Sequence, residues 1–209
     1  MEEKKVQNPI MLYTEQTPNP ESLKFVTNRM LYKGIADFRD ENLAKEWSPL
    51  ATFLFELPYV RQVYISNNFV TVAKEMNYSW AEIMIPLKEK IKEFINNEGG
   101  IVNDGFKDAM DKINAETDTG YQYSGDEKEI VQKIKDLLDQ YVRPAVEADG
   151  GNIAFHSWND GVVTVILQGS CSGCPSSTIT LKSGIEAMLQ RMIPEVKEVR
   201  AEAEGYCET

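Results

Sequence analysis

Two cysteines three positions apart, in the run Cys171-Ser172-Gly173-Cys174, are the residues of this 209-residue chain best suited to chemistry. A strand-like run precedes them and a helix-like run follows, so a short loop can turn both sulfurs toward one point. The start of the following helix brings unpaired backbone N–H groups and a positive dipole end near the sulfurs, which is expected to favour the thiolate. Gly173 lets the backbone approach the sulfurs closely, where N–H···S contacts tune the potential of a bound cluster.

Three chemistries use such a pair. A thioredoxin-like dithiol–disulfide oxidoreductase needs strand–CxxC–helix, which is present. However, Pro175 follows the second cysteine instead of lying between the two, no aromatic residue precedes the first, and Pro194 carries no sign of a cis-proline loop. Structural zinc wants four protein ligands. There is no second CxxC, and the single histidine, His156, reads as an ordinary strand residue. An iron–sulfur cluster, [4Fe–4S] or [2Fe–2S], also needs about four protein ligands, mostly thiolates. One chain brings two at this site and two chains bring four, so the donor count points to a symmetric homodimer bridged by the cluster. The third cysteine, Cys207, sits in an acidic tail and reads as a bystander.

The elements that must position this pair follow from periodicity. Residues 9–16 alternate as a strand, 17–22 form a proline-rich turn around Asn19, and 22–27 return as a second strand. Residues 42–57 carry a helical stripe of Leu50, Phe53, Leu54 and Leu57, with Ser48 as an N-cap and Pro49 at the first helical position. Strands 59–66 and 69–75 meet at Asn67-Asn68. Ser79 opens a helix to about Asn97, with Ile83, Leu87, Ile91 and Phe94 on one face. Residues 98–125 are rich in Gly, Asp and Asn and read as a linker with one short helix around 104–114.

From Asp126 an amphipathic helix places Ile130, Ile134, Leu137, Leu138 and Tyr141 on one face, with Pro144 ending or kinking it. After the turn at 148–151 a hairpin folds about Asn159-Asp160-Gly161. The cysteine loop follows, then a helix over 175–192 and a last strand over 195–203. The expected architecture is α+β: two small domains, each an antiparallel or mixed sheet packed against helices. Residues 1–102 form the first domain, 103–125 a flexible linker, and 126–209 the second.

The formal net charge of −11 argues against sequence-independent nucleic-acid binding and against docking on an anionic membrane. The charged first residues, Met1-Glu2-Glu3-Lys4-Lys5, form no secretory signal and are too acidic for a transit sequence, and no apolar run is long enough to span a bilayer. A soluble cytoplasmic protein is the expectation.

Two blocks resemble a known family. The stretches "LLDQYVRPAVEADGGNIAF" and "GVVTVILQGSCSGCPSSTITLKSGIEAML" are similar to the carboxy-terminal domain of NifU, over roughly residues 128–201. The stretches "TPNPESLKF" and "SPLATFLFELPYVRQVYISNNFVTVAKE", with Trp80, resemble the amino-terminal domain of the Nfu proteins. The resemblance implies that Cys171 and Cys174 ligate a [4Fe–4S] cluster bridging two subunits, and that the chain is a scaffold or carrier without catalytic turnover. It also implies that upstream assembly proteins stand before it and apo iron–sulfur proteins receive the cluster. Cys207 lies beyond the matched blocks, so no role carries over to it.

Overall fold

The computed structural model describes residues 9–97, 99–117, 123–172 and 175–203, with the backbone alone for 113–117, 175–177 and 203. Cys174 and Cys207, together with Gly173, lie outside the described residues.

The first half forms a five-stranded antiparallel sheet from β1 (Leu12–Gln16), β2 (Ser22–Thr27), β3 (Tyr32–Phe38), β4 (Val60–Asn67) and β5 (Phe69–Lys74). The strand order is β1-β2-β5-β4-β3. Inward residues such as Phe25, Phe38, Val63, Ile65, Val70 and Val72 share one core with Leu50, Leu54, Leu87 and Ile91 of the covering helices. The hairpin between β4 and β5 turns at Asn67, whose φ of 47° is in the left-handed region that Asn tolerates. Strand β3 falls in a stretch for which the sequence reading offers no element. Gly34 and Asp37 are types depleted in strands, and they hide the alternation of Ala36 and Phe38 into the core.

The helix expected over 42–57 is two helices, α1 (Glu41–Trp47) and α2 (Pro49–Phe55). Ser48 is extended between them. Its backbone N–H donates to the Ala44 carbonyl, closing α1, and its hydroxyl accepts from the Ala51 N–H, capping α2. The long helix α3 (Trp80–Asn96) begins at the Ser79 cap as expected and buries Ile83, Leu87, Ile91 and Ile95. Helix α4 (Phe106–Thr117) realises the short helix expected near 104–114. Its first residue, Phe106, is buried among Tyr32, Phe38 and Trp47 of the first sheet and helix.

The second half opens with α5 (Asp126–Leu137), a π-helical turn at Leu138–Val142 and α6 (Arg143–Ala148). Pro144, lacking an N–H, sits in the first turn of α6, so the chain changes helical pitch just before it. A π turn rotates later side chains by about one residue, roughly 100°. Val142 is therefore buried, and Tyr141, expected on the apolar face, is 56% exposed.

Strands β6 (Gly151–Asn159) and β7 (Val162–Gly169) form the expected hairpin, with Asp160 and Gly161 at φ 48° and 91°. Helix α7 (Pro175–Met192) crosses over to β8 (Glu198–Ala203), which pairs parallel with β7. This three-stranded mixed sheet packs Ile153, Val163, Val165 and Leu167 against Ile134, Leu138, Ile185 and Leu189. The α+β architecture of two sheet-and-helix units stands as the sequence implies.

The candidate metal centre and the sheet face above it

Cys171 lies just after the end of β7, where Gly169 adopts φ +63° and turns the chain out of the sheet. Its side chain packs into the second core and is 8% exposed. The Ser170 hydroxyl lies 3.7 Å from its sulfur and donates 2.6 Å to the Asp149 carbonyl. Burial pushes the Cys171 thiol up to about 11, and the nearby Asp149 carboxylate adds to the rise, while the Ser170 hydroxyl opposes it. The expectation of a favoured thiolate is thus corrected at Cys171. Loss of water around the sulfur outweighs the opposing Ser170 hydroxyl. A raised, buried thiol is also the reverse of what a dithiol nucleophile requires. Gly151 passes close beside it: a Cβ there would stand 3.0 Å from the Cys171 sulfur and 2.6 Å from the Gln168 carbonyl oxygen.

The first sheet has a second face, and that face covers this loop. Along β2 and β5 every residue is buried, although alternate positions carry Ser22, Lys24 and Thr71. An antiparallel sheet normally leaves such a face to water. Here its donors meet main-chain carbonyls of the second unit. Thr71 Oγ1 donates to Gly150 O at 2.8 Å, Lys24 Nζ to Ala148 O at 2.9 Å, and the Arg39 guanidinium to Leu167 O at 2.9 Å. The Tyr64 hydroxyl is 3.4 Å from Gly151 O.

Asn19, in the turn before β2, donates through Nδ2 to Ser170 O at 3.0 Å and to Ser172 O at 3.4 Å. It thereby bonds both neighbours of Cys171. Gln62 Nε2 donates to the Ser172 hydroxyl and to Asp37 Oδ1, at 3.1 and 2.6 Å. Burial raises the Asp37 carboxyl, and Arg39, Gln62 and the Gly169 backbone oppose the rise.

None of these six side chains is singled out for chemistry by the sequence reading, which places Asn19 in a turn. The available signal was polar residues at alternate strand positions, which on a sequence alone mean a solvated face.

Among the described residues, no three His, Cys, Asp or Glu side chains gather as a metal-holding group. His156 is half-buried on β6. Among the same residues, no helix is long and apolar enough to cross a membrane.

Comparisons with known proteins bear on both units. The family described as "Scaffold protein Nfu/NifU N terminal" matches residues 12–98, and the "NifU-like domain" family matches residues 134–200. The NFU1 iron–sulfur cluster scaffold homolog, mitochondrial, of Drosophila persimilis is 39% identical over 191 residues, covering 91% of this chain and 64% of that protein. The human protein of the same name is 38% identical over 192 residues, covering 91% of this chain and 71% of that one. The chain thus spans just under two thirds of the length of the Drosophila relative. A solution structure of a NifU-like protein from Saccharomyces cerevisiae overlays with a TM-score of 0.41 at 23% identity, over 50% of this chain and 93% of that one.

The relatives are named mitochondrial, which corrects the cytoplasmic expectation. With both units matched in order and the human relative covered over most of its length, the chain belongs to the NFU1 family of iron–sulfur cluster scaffold proteins.

Proposed function

We propose that this chain holds a [4Fe–4S] cluster between two copies of itself, through Cys171 and Cys174 of each, and hands it to apo iron–sulfur proteins in mitochondria. The observation that carries the reading is the donor count. The chain has three cysteines, none in residues 1–170, and a cluster takes about four thiolates. A two-fold pair of CxxC loops completes that shell. Membership of a scaffold family supports an iron–sulfur cargo over zinc or a dithiol switch. Upstream assembly proteins supply the cluster, and exchange of thiolate ligands with a recipient's cysteines releases it, with no catalytic turnover. The working units are residues 1–102 and 126–209, and Phe106 ties the start of the intervening 103–125 stretch to the first.

Anaerobic reconstitution tests this, with iron, sulfide and native mass measured on one sample. The expected result is about four irons per pair of chains. Cys171→Ser and Cys174→Ser should each abolish loading as fully as the double substitution, because each removes two of four ligands from the pair. An iron-loaded single chain, or full loading of either variant, would refute the proposal.

A further inference from the structure

We infer that the outward face of the first sheet is a docking surface for the main chain of this polypeptide's own cysteine loop, and that cluster loading requires the loop to leave it. The inference rests on the two-chain reading above and deepens it.

The surface is built for main chain. Its donors, on Asn19, Lys24, Arg39, Tyr64 and Thr71, all end on carbonyl oxygens of residues 148–172. The loop answers with glycines. A Cβ at Gly150 would stand 2.7 Å from Thr71 Oγ1, and one at Gly169 would stand 2.9 Å from the Tyr64 ring. A side chain at Gly150 would press on Thr71 and Lys24 of the first unit, whereas one at Gly169 would also meet Gly150 O at 2.7 Å in its own unit. The fit is therefore two-sided, and the polar face tolerates water when the loop is gone, as contacts between domains that part and rejoin require.

This contact conflicts with a cluster shared by two chains. The Asn19 amide bonds the carbonyls on both sides of Cys171, and Gln62 holds the Ser172 side chain. Cys171 and its neighbours Ser170 and Ser172 are all under 9% exposed. A second copy cannot bring its own loop to Cys171 from the side the sheet occupies. The contact defines a closed form, and the bridged pair requires an open one.

Asn19→Asp tests the contact cleanly. The retained oxygen still accepts from the Glu21 N–H, as Asn19 Oδ1 does at 2.9 Å, so the turn survives. The lost Nδ2 donor leaves a carboxylate facing two carbonyls. Thr71→Val, which keeps the side-chain shape and removes the donor to Gly150, is the second variant.

In the full chain carrying Cys174→Ser and Cys207→Ser, Cys171 is the single thiol, and its maleimide labelling is followed without metal. The expected result is labelling about tenfold faster in Asn19→Asp, and faster in Thr71→Val, at unchanged hydrogen exchange in α5 and α7. Equal rates in the parent and both variants would overturn the inference. In chains with all cysteines intact, iron loading should raise hydrogen exchange across 148–172. A loaded protein that keeps this stretch as protected as the metal-free one would also overturn it. Failure of the intact protein to take up iron, with faster labelling still seen, would strike the cluster reading and leave the closed contact standing.

Discussion

At Cys171 two environmental effects oppose one another: a polar hydroxyl neighbour that favours the thiolate and a buried position that disfavours it. Burial dominates, and the thiol rises from an ordinary value of 9.0 to about 11. The folded state then holds the proton more tightly than the unfolded chain does. The sulfur's contribution to stability is whole below pH 9 and is lost as pH climbs toward 11. At 1.36 kcal/mol per unit the loss is about 2–3 kcal/mol across that window. Denaturant midpoints of the metal-free protein at pH 8.5 and 10.5 should reveal it. In Cys171→Ala the decline between those two pH values should be shallower by about 1.7 kcal/mol, whereas an equal decline would place the thiol's pKa near its ordinary value. The CxxC spacing was legible in the sequence. The state of its first thiol was not, because burial depends on residues far away in the chain.

Among the elements, boundaries set by local chemistry were readable and those set by packing were not. Ser48 and Ser79 cap helices where their types and positions suggest, and Asn67 and Asp160-Gly161 turn the hairpins. The break between α1 and α2 and the π turn at Leu138–Val142 interrupt runs whose apolar stripe looks continuous. Each lies beside a proline, Pro49 or Pro144, so a local signal was present, but the stripe did not say that the helix would restart there. Phe106 is a similar case. In a stretch rich in Gly, Asp and Asn it looks like an isolated apolar residue, yet its ring sits 5.3 Å from that of Phe38 and 5.9 Å from that of Trp47. Phe106→Ala should lower the stability of the first unit by about 3 kcal/mol, typical of a buried aromatic truncation. Urea denaturation followed by tryptophan fluorescence would report it, since Trp47 lies beside the site. A change below about 0.5 kcal/mol, the usual range for surface positions, would mean that α4 is not part of that core.

For the whole molecule, the proposed function sets two units of one chain and two copies of that chain in competition for one loop. The contact between units is made of individual hydrogen bonds, each worth about 0.5–1.5 kcal/mol net and about 1.5–3 kcal/mol for the charged donors of Lys24 and Arg39. A cluster shared by two chains must also obey mass action. At a fixed ratio of iron and sulfide to protein, cluster occupancy should fall on hundredfold dilution, read by visible absorbance under anaerobic conditions. A single-chain holder would show no such dependence on protein concentration beyond loss of its metal to solution. Dilution after chelator challenge should likewise return the monomer mass together with the loss of colour.

By itself the sequence determined the CxxC spacing, the α+β class, the order of the two units and most of their caps and turns. These rest on residue type and short-range spacing, and folding does not change them. The tertiary structure alone decided that Lys24, Gln62, Tyr64 and Thr71 face protein instead of water, that Asn19 reaches across Cys171, and that this sulfur is buried. Alternation along a strand divides its residues between two faces but does not say what lies over either one. Here the covering layer comes from 79 to 153 positions away in the chain, Asn19 and Ser170 being separated by 151, and the glycines that admit the contact read locally as turns.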